Sequence, residues 1–522
     1  MTETVDAIVI GSGINSLAAA THLASKGWKV RIFEQAAEPG GAVRSGAYTL
    51  AGFRHDWAAM NLSLFAGSGF FRAYGPELLR LGLEFAPVSH PFCSVFPDGR
   101  WCGVSMEAGL TRARIAAFSE ADARQWDKLL AAFPGEAPHL FALLGSPMKM
   151  RALARFGWNL WRAKGIGGSL ETLRFLLSSP RRWLEETFES PEVRAMLGAW
   201  GMHLDFAPDI AGGALFPYLE GMANQSFGMV LGKGGADTIV RAMVALLAER
   251  GGSVECNAKV ARVNHASGRA NGVTLADGRQ FTASRAVIAN VAPKKLAALT
   301  GTTSDQRFDQ GMAQFAHAPG TLMIHLAMSG LPDWRAGKEL QQFAYVHLAP
   351  DLDQMALTYQ QAKAGDLPSA PVIVVGQPTA IDQSRAPEGK HVLWLQVRMA
   401  PGQIRGDASS EIMATNWDQA AEPFADRALA ILESYAPGTG AKILGRRVVT
   451  PDELEADNPN LVGGDQVCGS HHLSQHFLFR PLRGRADGST PIANLHLTGA
   501  AVWPGAGTGA GPGFLLARKL AG

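Results

Sequence analysis

The stretch that decides the fold is Val5–Glu34, VDAIVIGSGINSLAAATHLASKGWKVRIFE. Val5 to Ile10 is short, β-branched and almost continuously apolar, as a strand buried on both faces of a parallel sheet is. A turn with Gly11 and Gly13 follows, then a run of helix formers that stops at Gly27, and then a second apolar strand, Val30 to Phe33. Glu34 closes that strand, 21 residues after Gly13. The spacing is that of a strand–helix–strand unit that grips a dinucleotide. Gly11 permits the tight turn, Gly13 lets backbone approach a pyrophosphate, and the helix beginning near Asn15 points free N–H groups at it. Glu34 accepts from ribose hydroxyls. Ser12 lies in the loop, and Ser16 stands where a third glycine would give the closest helix–strand contact. Slightly looser packing of this helix is expected.

The chain of 522 residues is too long for one hydrophobic core, so two or more domains are expected. A net charge of +2 with no dense basic stripe excludes a nucleic-acid partner. The N-terminus is acidic and runs directly into a strand, unlike a signal peptide, and no run of about 18 apolar residues predicts a spanning helix. A cytoplasmic protein is the expectation. Cys93, Cys102, Cys256 and Cys468 are scattered and make neither a disulfide framework nor a dithiol redox pair.

After Glu34 come Gln35, then the Gly40-Gly41 doublet, Ala42 and Arg44. The run G-x-G-x-N-x-L, then Glu, then G-G-x-x-R resembles the FAD-binding N-terminus of the phytoene desaturase and amine oxidase group of flavoproteins. Gly52-Phe53-Arg54-His55-Asp56 resembles a further phrase of the desaturase-like branch, the one shared by carotenoid desaturases and proteins with a pyridine nucleotide-disulfide oxidoreductase domain. Gly463-Gly464-Asp465, Gln475, Phe477, Arg480 and Pro481, leading into NLHLTGAAVWPGAGTGAGPG, resemble its closing signature. Ala506, Ala510 and Phe514 depart from that pattern. The resemblance implies FAD, bound through Gly11, Ser12, Gly13, Asn15, Ser16, Glu34, Gln35, Gly40, Gly41, Ala42, Arg44, Val260, Gly499, Ala500, Gly509 and Gly511. Its fold would be α/β: a Rossmann-like, glutathione reductase-type FAD domain in three segments (1–70, 226–300, 461–522). An α+β substrate domain (71–225 and 301–460) would be interleaved with it, helical over 110–225.

A glycine turn at Gly232 opens an amphipathic helix but lacks a preceding buried strand and a following acid, so it is not a second nucleotide loop. Strands are expected at Thr321–Met328 and Val372–Val375, and a helix near Ala420–Tyr435. His471, His472 and His476 lack a matching acidic or cysteine set, so no metal is assigned. His55, Asp56 and Trp503 are the catalytic candidates. Asp56 serves equally well as an anchor for backbone or an arginine, and Trp503 as packing. Met196, Met202, Met222 and Met229, among aromatics, suit either an apolar cavity or the core.

Lys149 to Trp183 carries eight cationic side chains against Glu171 alone, with Trp158, Trp161 and Trp183 interleaved. It reads as a peripheral membrane contact or as solvated helices. The resulting expectation is an FAD-dependent oxidoreductase that dehydrogenates or saturates a hydrophobic, isoprenoid or lipid-like substrate, with oxygen or a quinone as electron acceptor. The alternatives are a double-bond isomerase, an amine oxidase, or a lipid-binding escort without flavin.

Overall fold

A computed structural model describes residues 4–522. Two seven-stranded sheets organise the chain. In the first, Thr4–Ile10 lies centrally, parallel to Val30–Phe33 on one side and Gln280–Ala289 on the other. Ser253–Glu255 extends the sheet parallel to Val30–Phe33, and Leu495–Leu497 pairs parallel with Gln280–Ala289. The meander Val260–Ala266, Arg269–Leu275, Gln280–Ala289 is antiparallel and turns at Gly278, as the Asp277-Gly278 pair predicts. Strands from three distant stretches of sequence thus build one sheet. The helices Ile14–Ser25, Thr238–Glu249 and Gly511–Ala521 cover it through Leu17, Leu23, Ile239, Leu246 and Leu516, all buried.

The second sheet runs in the order Ile443–Val449, Gly320–Met328, His391–Ala400, Val372–Gly376, Tyr345–Leu348, Phe92–Val95, Trp101–Val104. Period-two alternation sorts its side chains. Leu322, Ile324, Leu326, Leu393, Leu395 and Val397 face the helix Trp417–Tyr435, whose Trp417, Phe424 and Leu432 complete that layer. The opposite, inner face carries Met323, Tyr345, Val374 and Trp394. It packs toward the helical stretch and the segment Trp57–Met60 in the largest core cluster, which also takes in Met196, Met202, Met222 and Met229. Those methionines belong to packed core, with Met202 at its polar edge.

Two local expectations change. A short strand, Met229–Gly232, does precede the Gly232 turn; it pairs antiparallel with Phe85–Val88 outside the parallel sheet, so the turn faces no dinucleotide edge. The last helix starts at Gly511, inside the segment that its glycines mark as loop.

Candidate functional site

The first glycine loop is built for backbone contact. Gly11 takes φ +83°, where side chains rarely go. Gly13 begins the helix Ile14–Ser25 with no side-chain cap, which leaves the positive end of the helix dipole at the loop. Gly40 bridges to Gly13 in parallel, and a Cβ on Gly41 would sit 3.4 Å from the Gly13 Cα. The doublet therefore lies directly on the loop. Ser12 donates from both its N–H and its hydroxyl to Glu34 Oε2, each at 2.7 Å, while Ala36 N–H donates to Oε1 at 2.9 Å. Glu34, assigned to ribose from sequence, is thus also the anchor of the loop. Arg44 pairs with Asp457 and lies over the Trp57 ring. Gln35 is exposed, Ala42 is half-buried against the core, and Val260 opens the antiparallel meander opposite Leu275.

Ser16 is the position where the structure corrects the sequence. Its side chain is fully buried, and its hydroxyl accepts from Asn290 Nδ2 at 3.0 Å. A hydrogen bond takes the place of the close glycine contact, so the helix is pinned rather than loosened. Asn290, at the end of the strand Gln280–Ala289, was missed from sequence. Its N–H donates to Ile10 O at 3.0 Å, its carbonyl accepts from Asn460 Nδ2 at 2.9 Å, and its side chain leaves no room for a Cβ on Gly499. One residue therefore ties the first loop, the first helix and the C-terminal glycine segment. A lone asparagine after an apolar strand gives no signal of that.

The C-terminal segment is held by Arg480. This buried guanidinium donates to Ala500 O from Nε (3.1 Å) and Nη2 (2.7 Å), and to Ser470 O from Nη1 (2.8 Å). His471 Nε2 accepts from Ala506 N–H at 3.2 Å. Ala510, where the resembling family has glycine, keeps a left-handed backbone at φ +56°, so the turn persists at a cost of about 1 kcal/mol. Beyond it, Gly513 N–H meets Asn15 Oδ1 at 3.4 Å; Gly509 and Gly511 abut the Leu64 carbonyl and Pro504.

The three catalytic candidates separate. Asp56 Oδ1 accepts from Ser45 Oγ (2.6 Å) and Ala236 N–H (2.7 Å), and Oδ2 accepts from Arg385 Nη1 (2.5 Å), which also holds Gly232 O. All three partners are spent on joining separate segments, and the Asp56–Arg385 pair is buried. Trp503 donates from Nε1 to Ser146 O and stacks on Phe477. His55 bonds Thr49 Oγ1 at 2.7 Å and packs edge-on against His325; burial lowers its pKa to about 4, so it is neutral near pH 7.

His325 marks where the two halves meet. Trp57 stacks on it, Gln396 Nε2 reaches Ala58 O at 3.3 Å, and Thr508 of the glycine segment donates to Asn61 O at 3.3 Å. The segment 57–61 is therefore clasped between the C-terminal glycines and the inner face of the second sheet. On that face stand His325, Tyr345, His347, Trp394, Gln396 and Arg398, all buried. None was singled out from sequence; the only trace is the polar residue recurring in otherwise apolar strands, TLMIHLAM and HVLWLQVRMA.

Glycines where a Cβ would strike backbone, an uncapped helix start and a carboxylate at the strand end suit the pyrophosphate and ribose of FAD. Comparison with known proteins agrees. Residues 17–430 match the family described as flavin containing amine oxidoreductase. The mouse pyridine nucleotide-disulfide oxidoreductase domain-containing protein 2 is 27% identical, covering 96% of this chain and 90% of its own. A neurosporene-forming phytoene desaturase of Cereibacter sphaeroides is 25% identical, covering 98% and 93%. Among solved structures, putrescine oxidase superposes with a TM-score of 0.62 at 17% identity, covering 100% of this chain and 98% of that one.

Proposed function

We infer the reaction from an established premise: the chain belongs to the flavin containing amine oxidoreductase family and is an FAD-dependent oxidoreductase. Within that class, the reading favoured here is dehydrogenation, or in reverse saturation, of C–C bonds in a hydrophobic, isoprenoid or lipid-like substrate. The observation that carries it is the inner face of the second sheet, buried and aromatic, set against the segment 57–61 that also touches the C-terminal glycines. Whole-length similarity to a protein named phytoene desaturase points the same way.

When bound, FAD supplies a two-electron acceptor for hydride leaving the substrate, with oxygen or a quinone as the final acceptor. This chain's residues do the rest. The segments 1–70, 226–300 and 461–522 would hold the cofactor, Gly11, Gly13, Gly40 and Gly41 taking its pyrophosphate and Glu34 its ribose. The N-terminus of the helix Gly511–Ala521, started by left-handed Ala510, would favour negative charge on a flavin ring held beside it. Asp56, His55 and Trp503 position these segments. Tyr345, Trp394 and Trp200 exclude water from the reacting bond.

The substrate is collected from a lipid surface by the helical stretch Met150–Leu177, which breaks at Gly165 and buries only Leu160 among its described side chains. Trp158, Trp161, Ile166, Leu170, Leu173 and Leu177 are exposed on it. Among the described residues no helix is long and apolar enough to cross a membrane, so the contact proposed is peripheral, made from the cytoplasmic side. An anaerobic screen of isoprenoid, fatty and amine substrates for flavin bleaching tests the reaction. Bleaching by an isoprenoid or lipid, with none by amines, is expected; bleaching by amines alone would overturn the substrate class.

A further inference from the structure

Among the described residues three arginines are buried, and they are not alike. Arg385 has carboxylates from Asp56 and Asp382, and Arg480 is satisfied by backbone carbonyls. Arg398, on the inner face of the strand His391–Ala400, has no carboxylate and only one backbone carbonyl. Its Nη2 donates to His203 O at 2.8 Å and its Nη1 reaches Thr321 Oγ1 at 3.4 Å, but its Nε is buried without an acceptor. No carboxylate pairs with it among the described residues. An incompletely bonded cation in a protein interior is costly, and natural structures rarely leave one without a purpose.

The surroundings mark the missing partner as an oxygen acceptor. A cavity of about 10 Å³, room for one oxygen-sized group, lies between Arg398, His203, Thr321 and the segment Asp465–Val467. His203 and His347 face each other with their Nε2 atoms 3.3 Å apart, and burial keeps both neutral, His347 with its pKa lowered to about 3. His347 Nδ1 is buried without a partner. The Asp465 carboxylate acts on Arg398 only through its charge, with no direct bond: its oxygens accept from the N–H groups of Val467, Gly469 and Ala318 and from His317 Nδ1. Asp205, also at the cavity, is held toward its uncharged form by burial. The same strip of chain continues to Gly469 and Ser470, whose carbonyls bind the Arg480 that grips Ala500. The cavity is thus connected directly to the cofactor segment.

We propose that Arg398 is a specificity-determining residue that receives a carbonyl or carboxyl oxygen at one end of an otherwise apolar substrate. This rests on the hydrophobic-substrate reading above and deepens it. A pure hydrocarbon would bury the Arg398 Nε against carbon, whereas an oxygenated end supplies the absent acceptor, charge-assisted. The apolar side chains at the cavity, Met202, Pro319, Met399 and Val467, suit the carbon skeleton next to that oxygen.

The test uses the flavin-loaded protein and three probes of one carbon skeleton: farnesene, farnesal and farnesoic acid. Binding is read from perturbation of the flavin absorption band and from tryptophan emission, to which Trp200 contributes beside His203 and His347. The aldehyde or the acid, or both, should bind at least tenfold more tightly than farnesene, and Arg398→Met should abolish the difference. Arg398→Lys, which keeps the charge but not the Nε, should retain part of it. The parent protein's own preference is readable even if a variant fails to fold. Equal binding of all three probes, or a preference that survives Arg398→Met, would overturn the end-group assignment and leave the hydrophobic-substrate reading in place. Absence of binding by all three would overturn both.

Discussion

Replacing Gly513 with alanine is the most direct probe of how the cofactor cradle is closed. A Cβ there would lie 2.6 Å from the Asn15 carbonyl carbon and closer still to its oxygen. The Asn15 oxygen would be 1.8 Å away, so restoring an ordinary contact of 3.4 Å requires the helices Ile14–Ser25 and Gly511–Ala521 to part by about 1.6 Å, more than the gap of about 1 Å that already forfeits up to half of the dispersion between facing atoms. Two effects oppose each other. Alanine gains up to about 1 kcal/mol of helix propensity over glycine, whereas overpacking costs about 1–3 kcal/mol. Here the obstacle is backbone on a buried helix, which cannot swing aside, so overpacking wins. The displaced helix also carries the N-terminus assigned to the flavin, so cofactor loss is expected at lower temperature. Flavin fluorescence during heating measures that release, and denaturant melts measure stability. Gly135, in the helix Glu120–Leu144 with nothing within 4 Å of its would-be Cβ, is the control. Gly135→Ala should be neutral or stabilising. A Gly513→Ala protein that melts like the parent and keeps its flavin would refute the reasoning.

Asn290→Ala removes the bond to Ser16 and leaves a buried hydroxyl without a partner, a loss of about 1–3 kcal/mol that should appear as weaker flavin retention; unchanged retention would remove Asn290 from the cradle. Stability should fall in acid: burial lowers His55 to about 4 and His347 and His476 to about 3, so between pH 6.5 and those values the unfolded chain binds protons that the folded one refuses. Their contribution is complete above about pH 6.5 and is lost on acidification by up to about 1.4 kcal/mol per pH unit for each histidine; urea midpoints at pH 7, 6 and 5 that do not move would contradict this. Neutralising Arg151, Arg155 and Arg162 to glutamine should weaken binding to anionic vesicles by roughly 100-fold, taking about 1 kcal/mol per cation lost. Arg181 and Arg182 are poorer targets, since Arg181 is tied to Asp209 and Asp353, and Arg182 to Glu186. Equal vesicle binding would favour solvated helices.

The cofactor half was legible because its chemistry is local. Gly11, Gly13 and Glu34 belong to one strand–helix–strand unit, where Gly11 takes a positive φ and Glu34 anchors the loop through Ser12. Arg480 was visible as part of a closing signature, though its task of gripping Ala500 was not. The substrate half was illegible for the opposite reason. Arg398, His347 and His203 come from separate elements, and each alone looks like an ordinary polar residue in an apolar run; only strand pairing puts them together. Asn290 shows the same limit on a smaller scale, since its importance comes from partners at positions 16, 460 and 499. The basic stretch was readable as a segment, but which of its arginines are free for a partner depends on carboxylates brought in by other helices.

The contact between Asn15 and Gly513 spans 498 positions of sequence. The helix that locks the first glycine loop therefore follows it only after nearly all of the intervening sequence. Loop-closure entropy of that length must be overcome before the cradle is complete. Until that distant helix docks, the loop lacks the backbone contact that closes it, so the cradle forms as a property of the folded whole rather than of its first strand–helix–strand unit.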